Sequence, residues 1–352
     1  MEKKKILVCV MNWGLGHAAR CIPIISALEK EGFQPLLASD GAALSLLRKE
    51  FPHLPYFELP SYNIRYAQNP KMLKWKLIFD TPHILRTIRA EKKMIHKLVE
   101  EENISGIISD NRFGTYSKKV KSVFITHQLT VLSGKTTFLS SRIHQSYIRK
   151  FDECWVPDAP GEKNLSGILG HPIKKPYNVK YIGALSRFRK RELPIKYDYL
   201  IVLSGPEPQR TMLQNILFKA FRKTTQQIYI IRGVMDDEEF TCLNPNVTIS
   251  NYLFGEELEE VINSSRQIIS RSGYTTLMDL AKLEKRAFFI PTPGQPEQEY
   301  LAERLRNLGL AAYCKQDEFD LSLLDHQEEF SGLSEFEFTP GIRDLFTLFE
   351  SK

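Results

Sequence analysis

Three kinds of residue cluster in this sequence could do chemistry, and each sits where an apolar run gives way to a helical pattern. The first is Asn12-Trp13-Gly14-Leu15-Gly16-His17-Ala18-Ala19-Arg20, directly after the run Ile6–Met11. Gly14 and Gly16 allow close approach of backbone to a ligand, and helix N–H groups there can face an anion. His17 heads the helix, and a histidine's ordinary pKa of about 6.5 suits a general base. Its other reading is a histidine that caps the turn by hydrogen bonding. The second cluster is Ser109-Asp110-Asn111-Arg112, at the end of the run Ile104–Ser109. A carboxylate beside an imidazole fixes the tautomer and stabilises the imidazolium, which makes Asp110 the candidate partner of His17. Alternatively, Asp110 is a helix N-cap or turn aspartate. Gly14-x-Gly16-x-x-Ala19 with Asp40 also matches a dinucleotide-binding fingerprint, a reading that leaves His17 without a task.

The third kind of cluster lies in the second half. Leu203-Ser204-Gly205-Pro206-Glu207-Pro208 and Ser270-Arg271-Ser272-Gly273-Tyr274-Thr275-Thr276 each follow an apolar run and precede a helix. Both offer hydroxyl and backbone N–H groups to a diphosphate, or are ordinary strand-to-helix turns. Pro293-Gly294-Gln295-Pro296-Glu297-Gln298-Glu299-Tyr300 adds amide and carboxylate groups of the kind that hold sugar hydroxyls. Ser133-Gly134-Lys135-Thr136 imitates the end of a P-loop, but Leu129 stands where that motif needs glycine. An Asp-x-Asp triplet is absent. A leaving diphosphate would therefore rely on helix ends and side chains, with Arg271 as a candidate helper.

Positioning these groups at one edge requires strands that all point the same way. Runs at Ile6–Met11, Pro35–Ala38, Ile104–Ser109, Val123–Thr126 and Cys154–Pro157 alternate with helical stretches, and the pattern resumes with Tyr199–Ser204, Gln227–Ile231, Val247–Ser250, Gln267–Ser270 and Ala287–Pro291. Continuous apolar runs mark strands covered on both faces. The chain reads as α/β, with two tandem Rossmann-like domains whose parallel sheets face a cleft. Residues 1–185 form the first domain, 186–195 a linker, 196–335 the second domain, and 336–352 a closing helix that packs back across the domains.

Composition agrees with this division. The 352 residues carry 48 Lys+Arg and 42 Asp+Glu, a net charge of +6. Residues 1–190 hold 31 basic and 16 acidic side chains (+15), and 191–352 hold 17 and 26 (−9). The basic half expects an anionic neighbour. Five cysteines without a CxxC pair argue against a disulfide scaffold or structural zinc and point to reducing cytosol. The first apolar run is too short for a signal-peptide core or a membrane span.

The stretch from Ile269 to Tyr300, containing SRSGYTTLMDLAKLEKRAFFIPTPGQPEQEY, resembles the donor region of GT-B glycosyltransferases, specifically the family 28 enzymes similar to bacterial MurG. The Gly-x-Gly-His turn followed by Ile22-Pro23 is similar to that family's N-terminal glycine loop, though shorter. The resemblance implies the GT-B fold and a UDP-sugar as donor substrate. It also implies that Ser272 and Gly273 receive the diphosphate, with Ser204 and Gly205 forming the other donor loop and Leu253 meeting the base. Asp279 stands where the family has a ribose-binding glutamate, and Gln298 and Glu299 where it has paired glutamines that read the sugar. Ile125-Thr126-His127-Gln128 and Trp155-Val156-Pro157-Asp158 resemble an uncharacterised branch of these enzymes, with His127, Gly14 and Gly16 on the acceptor side or His127 simply buried at a strand end.

The function expected from these residues is an inverting, metal-independent hexosyl transfer from a UDP-sugar to an acceptor hydroxyl, with His17 as base and Asp110 as its partner. No cofactor is expected. The alternatives are a nucleotide-sugar epimerase of the same fold, a non-catalytic nucleotide- or anion-binding protein and, third, an NAD-dependent enzyme. Lys71, Lys74, Lys76, Arg86, Arg89, Lys92, Lys93 and Lys97, interleaved at first with Met72, Leu73, Trp75, Leu77, Ile78 and Phe79, form either a basic amphipathic surface for anionic lipid or a solvated helix over a core. The expected location is cytoplasmic with membrane contact through 71–97, and the acceptor anionic or lipid-linked. No motif supports nucleic-acid recognition.

Overall fold

A computed structural model describes residues 3–63, 73–176, 178–234, 244–325, 327–334, 336 and 342–350, with backbone only for 73–80, 327, 342 and 343. The chain divides into two compact units between Arg187 and Phe188, and residues 342–350 belong to the first.

In the first unit, β1 (Lys5–Val10), β2 (Gln34–Ser39), β3 (Tyr56–Glu58), β4 (Ile104–Asp110), β5 (Lys121–Ile125), β6 (Glu153–Val156) and β7 (Val179–Tyr181) make one sheet in the order β3-β2-β1-β4-β5-β6-β7. In the second, β8 (Tyr197–Val202), β9 (Ile228–Ile231), β10 (Val247–Ser250), β11 (Ser265–Ser270), β12 (Arg286–Phe289) and β13 (Ala312–Tyr313) follow the order β10-β9-β8-β11-β12-β13. Every pairing in both sheets is parallel. The ten apolar runs all became strands: those inside the sheets can be buried on both faces by crossover helices, while β10, at the edge of the second sheet, is buried at Val247 and exposed at Thr248. β3, β7 and β13, two or three residues each, lie at sheet edges and lack such a run.

The two sheets share one topology. Strand order reverses between β1 and β4 in the first and between β8 and β11 in the second. Such a switch point opens a crevice at the carboxyl ends of the strands, since successive crossovers leave on opposite faces. His17 on α1 (Leu15–Lys30) follows β1, and Asp110 ends β4. Gly205 follows β8, and Gly273 precedes α7 (Tyr274–Lys282) after β11. Both candidate clusters thus straddle a switch point of their own unit.

The long helix α3 (Leu73–Glu101) covers the first sheet. Ile95, Leu98 and Val99 join Leu7, Leu36 and Ile107 in its core, while Arg86, Arg89, Lys92, Lys93 and Lys97 are exposed. The described part of the basic stretch is thus a solvated face over a core; the side chains of Lys71 to Phe79 lie outside the described residues. The closing segment forms α9 (Ile342–Leu345) and a 3₁₀ turn. Phe346 and Phe349 pack on Trp155, at ring-centroid distances of 6.3 and 6.4 Å, and Lys4 Nζ donates to the Phe349 carbonyl at 2.9 Å. Gly106 makes room for this docking: a Cβ there would lie 2.3 Å from the Phe349 ring.

Candidate active site

The Asp110 carboxylate is fully buried at the end of β4 and gathers four donors. Arg20 donates to it through Nε and, at 2.6 Å, through Nη2. Cys21 Sγ lies 3.6 Å away, and His17 Nδ1 is 2.5 Å from Oδ1. A nitrogen and a carboxylate oxygen that close need a proton between them, so Nδ1 carries the hydrogen and Nε2 the lone pair. Arg20 Nη2, 2.9 Å from the same Nδ1, then acts on the ring through its charge. Arg20 also reaches across to His127, with Nη1 3.2 Å from Nδ1. Arg20, Asp110 and His127 are buried, whereas the His17 side chain is 16 % exposed. The accessible edge of the cluster is therefore the imidazole.

Charge in this cluster is balanced internally. Burial would push the Asp110 carboxyl up, but Arg20 and His17 together hold it well below the ordinary carboxylate range. His17 is pulled below its usual 6.5, first by burial and then by the Arg20 charge, against the opposing pull of Asp110. The imidazole is neutral at neutral pH and ready to accept a proton at Nε2. Burial and Asp110 push the Cys21 thiol up, so it serves as a donor to the carboxylate and not as a nucleophile.

Arg112, two residues after Asp110, turns the other way because Asn111 takes a left-handed conformation (φ 53°). Its guanidinium donates to Glu91 at 2.6 Å, to Asp40 at 2.7 Å and to the Pro60 carbonyl at 2.5 Å. Asn12 also donates to Asp40, at 3.2 Å. The acid on which the dinucleotide reading depends is thus already engaged by Arg112 and Asn12.

In the second unit Ser204, Gly205, Ser272, Gly273, Gln298 and Glu299 lie in, or just beyond, the loops that follow β8, β11 and β12. Gly205 adopts φ 101°, open to glycine. Ser272 Oγ donates to the Gln298 carbonyl at 2.7 Å, and Gly273 is the N-cap of α7. Gln298 Oε1 accepts from Thr292 N at 2.8 Å, and Glu299 Oε1 from Gly294 N at 3.0 Å, so both side chains brace the loop leading into α8 (Pro296–Asn307). Asp279 lies midway along α7, and Leu253 in the loop between β10 and α6 (Gly255–Asn263). Ser204 is exposed at the start of the loop after β8.

Arg271, in the loop after β11, is held by the protein itself. Its side chain is buried, and its guanidinium donates to the carbonyls of Ile290 and Pro291 (both 3.0 Å), to that of Gln209 (2.9 Å) and to Gln316 Oε1 (2.6 Å). The head group ties three loops together beneath the edge. Burial lowers its pKa to about 10, still cationic at neutral pH.

Sequence reasoning overlooked Arg20 and Thr292. A signal for Arg20 existed: it stands three residues after His17, on the same face of a helix whose buried positions include Ala18, Cys21 and Ile25. Thr292 follows the buried strand β12 and carries no such signal. Among the described residues no group of three His, Cys, Asp or Glu could hold a metal, and no helix is long and apolar enough to cross a membrane.

The glycosyltransferase family 28 C-terminal domain matches residues 199–329, the stretch that contains the β8, β11 and β12 loops. An uncharacterized glycosyltransferase of Methanopyrus kandleri is 20 % identical, over 83 % of this chain and 86 % of its own. The UDP-N-acetylglucosamine--N-acetylmuramyl-(pentapeptide) pyrophosphoryl-undecaprenol N-acetylglucosamine transferase of Haemophilus influenzae is 22 % identical, over 92 % and 89 %. Among solved structures, MurG of Acinetobacter baumannii matches with a TM-score of 0.59 at 13 % identity, over 99 % of both chains, a likeness of fold. Residues 199–329 thus carry a glycosyltransferase family 28 C-terminal domain, and the chain as a whole is similar to MurG-like glycosyltransferases.

Proposed function

We propose that this glycosyltransferase moves a hexosyl group from a UDP-sugar to an acceptor hydroxyl, with inversion and without a metal. The observation that carries this reading is the His17–Asp110 pair, with Nδ1 fixed on the carboxylate and Nε2 left basic. In the proposed reaction, His17 Nε2 takes the acceptor's hydroxyl proton as that oxygen attacks the anomeric carbon from the face opposite the diphosphate. The bond from the anomeric carbon to the β-phosphate oxygen breaks, and its electron pair leaves with UDP. Backbone N–H groups at the start of α7, beside Ser272 and Gly273, would receive the diphosphate charge. Ser204 and Gly205 would complete that loop pair, Leu253 would face the base, Asp279 the ribose, and Gln298 and Glu299 the sugar. Gly14, Gly16 and His127 would line the acceptor side.

The acceptor would be anionic or lipid-linked, in keeping with the +15 charge of residues 1–190 and with Phe138, Leu139 and Ile143 exposed on α4 (Thr137–Ile148) beside the exposed Arg142. The protein would then work in the cytoplasm at a membrane surface. A panel of nucleotide sugars, followed by candidate acceptors, tests the reading. UDP release should depend on an added acceptor and fall in His17→Ala while UDP still binds. Acceptor-independent UDP loss with an epimerised sugar would favour the epimerase reading, and stabilisation by NAD but not UDP would sink sugar transfer.

A further inference from the structure

Two groups at the carboxyl edge of the second unit carry polar capacity that the folded chain leaves unused. Thr292 is 2 % exposed, and its Oγ1 is buried with no hydrogen-bond partner among the described residues. Just before it in sequence are the Ile290 and Pro291 carbonyls held by Arg271, whose four acceptors are all neutral and whose Nε, among the described residues, also has no partner. A buried hydroxyl without a partner is costly, and so is a buried cation without a counter-charge. Finding both at one strand edge calls for a group that satisfies both, and an anion does.

The surroundings are shaped for one. A Cβ placed on Gly205 would lie 3.7 Å from Thr292 Oγ1, and the φ of 101° at Gly205 disfavours any side chain. Glycine at 205 therefore leaves a space beside the hydroxyl that a side chain would fill. Gln298 Oε1 fixes the Thr292 backbone, and Ser272 Oγ fixes the Gln298 carbonyl, which locks this hydroxyl to the residues that begin α7. The helix N-terminus, the hydroxyl and the buried cation thus belong to one braced assembly.

We propose that Thr292 is a donor-binding residue whose hydroxyl donates a hydrogen bond to a phosphate oxygen of the nucleoside diphosphate, with Arg271 as the fixed positive charge behind it. This rests on the sugar-transfer reading above and adds to it a residue that touches the leaving group. It also accounts for a net-negative half (−9) holding an anion through local groups.

The test uses the full chain with UDP and uridine as probes, in wild type, Thr292→Val and Thr292→Ser. Valine keeps the shape and removes the hydroxyl. UDP should bind Thr292→Val about tenfold more weakly or worse, uridine should bind as to wild type, and Thr292→Ser should restore UDP. Because no internal hydrogen bond is lost, the free Thr292→Val protein should melt at or above the wild-type Tm. Unchanged UDP affinity, equal loss of UDP and uridine, or a Tm lowered by more than about 4 °C would each overturn the assignment. If wild type itself fails to bind UDP, the donor reading falls, and the Thr292 assignment with it.

Discussion

A buried arginine stands near the switch point of each sheet, but the two keep different company. Arg20 faces the Asp110 carboxylate, while Arg271 faces three carbonyls and one side-chain amide. The first cluster is electrically closed before any substrate arrives, and its single accessible member, His17, is held in one tautomer. The second is left open: its cation meets only neutral acceptors, and the Arg271 Nε and the Thr292 hydroxyl have no partner among the described residues. Closure suits a base that must be neutral and fixed; openness suits a site whose missing partner is an anion brought by the substrate.

The largest expected effect lies at the closed cluster's exposed edge. His17→Ala should lower turnover by about 10²-fold or more, as loss of a general base does, while UDP affinity stays within about twofold. Turnover that survives would show the cluster to be a structural pin. The pH profile sharpens this. His17 lies below its usual 6.5, and a base works when unprotonated, so wild-type turnover should rise with pH and level off below about pH 6.5. Arg20→Gln removes a charge that lowers this pKa, so its acidic limb should move to higher pH.

Next come the arginines themselves, whose removal contrasts the two environments directly. Arg20→Met strands a buried carboxylate and should cost about 3–5 kcal/mol in denaturant unfolding. Arg271→Met strands only neutral acceptors and should cost less, about 2–3 kcal/mol. Adding Asp110→Asn should recover much of the Arg20→Met loss, since the two residues form one network. The rise in Tm produced by UDP should persist in Arg20→Met and shrink in Arg271→Met. Equal costs, or UDP stabilisation lost in the first and kept in the second, would break the contrast.

The sequence made the repeated βα alternation legible because burial on both faces leaves an unbroken apolar run, as in Ile104–Ser109 and Gln267–Ser270. Edge strands such as Val179–Tyr181 are half exposed and carry no such run. His17 and Asp110 were legible as chemical types at strand ends, and topology makes those ends neighbours. What local pattern could not show was pairing over distance. Asp110 is matched to Arg20 across 90 residues, Asp40 to Arg112 across 72, and Arg271 to Gln316 across 45. Nor could the loop around Arg271 show that its head group is bound by carbonyls from neighbouring loops.

The smallest effect concerns Glu299, where an acid stands in the position of a paired glutamine. One of its oxygens accepts from Gly294 N, and the residue is exposed. Glu299→Gln offers the same acceptor to that N–H, so the loop should hold and stability should change by no more than about 0.5 kcal/mol. The substitution also exchanges an acceptor and a negative charge for an amide donor. A change of that kind should leave UDP affinity intact and shift the KM for the UDP-sugar by roughly three- to tenfold, because only the sugar's hydroxyls would meet the altered group. If UDP affinity instead falls in step with the UDP-sugar, Glu299 acts through the loop that carries Thr292. The open site would then owe its shape to this brace, and sugar choice would have to be sought at Gln298.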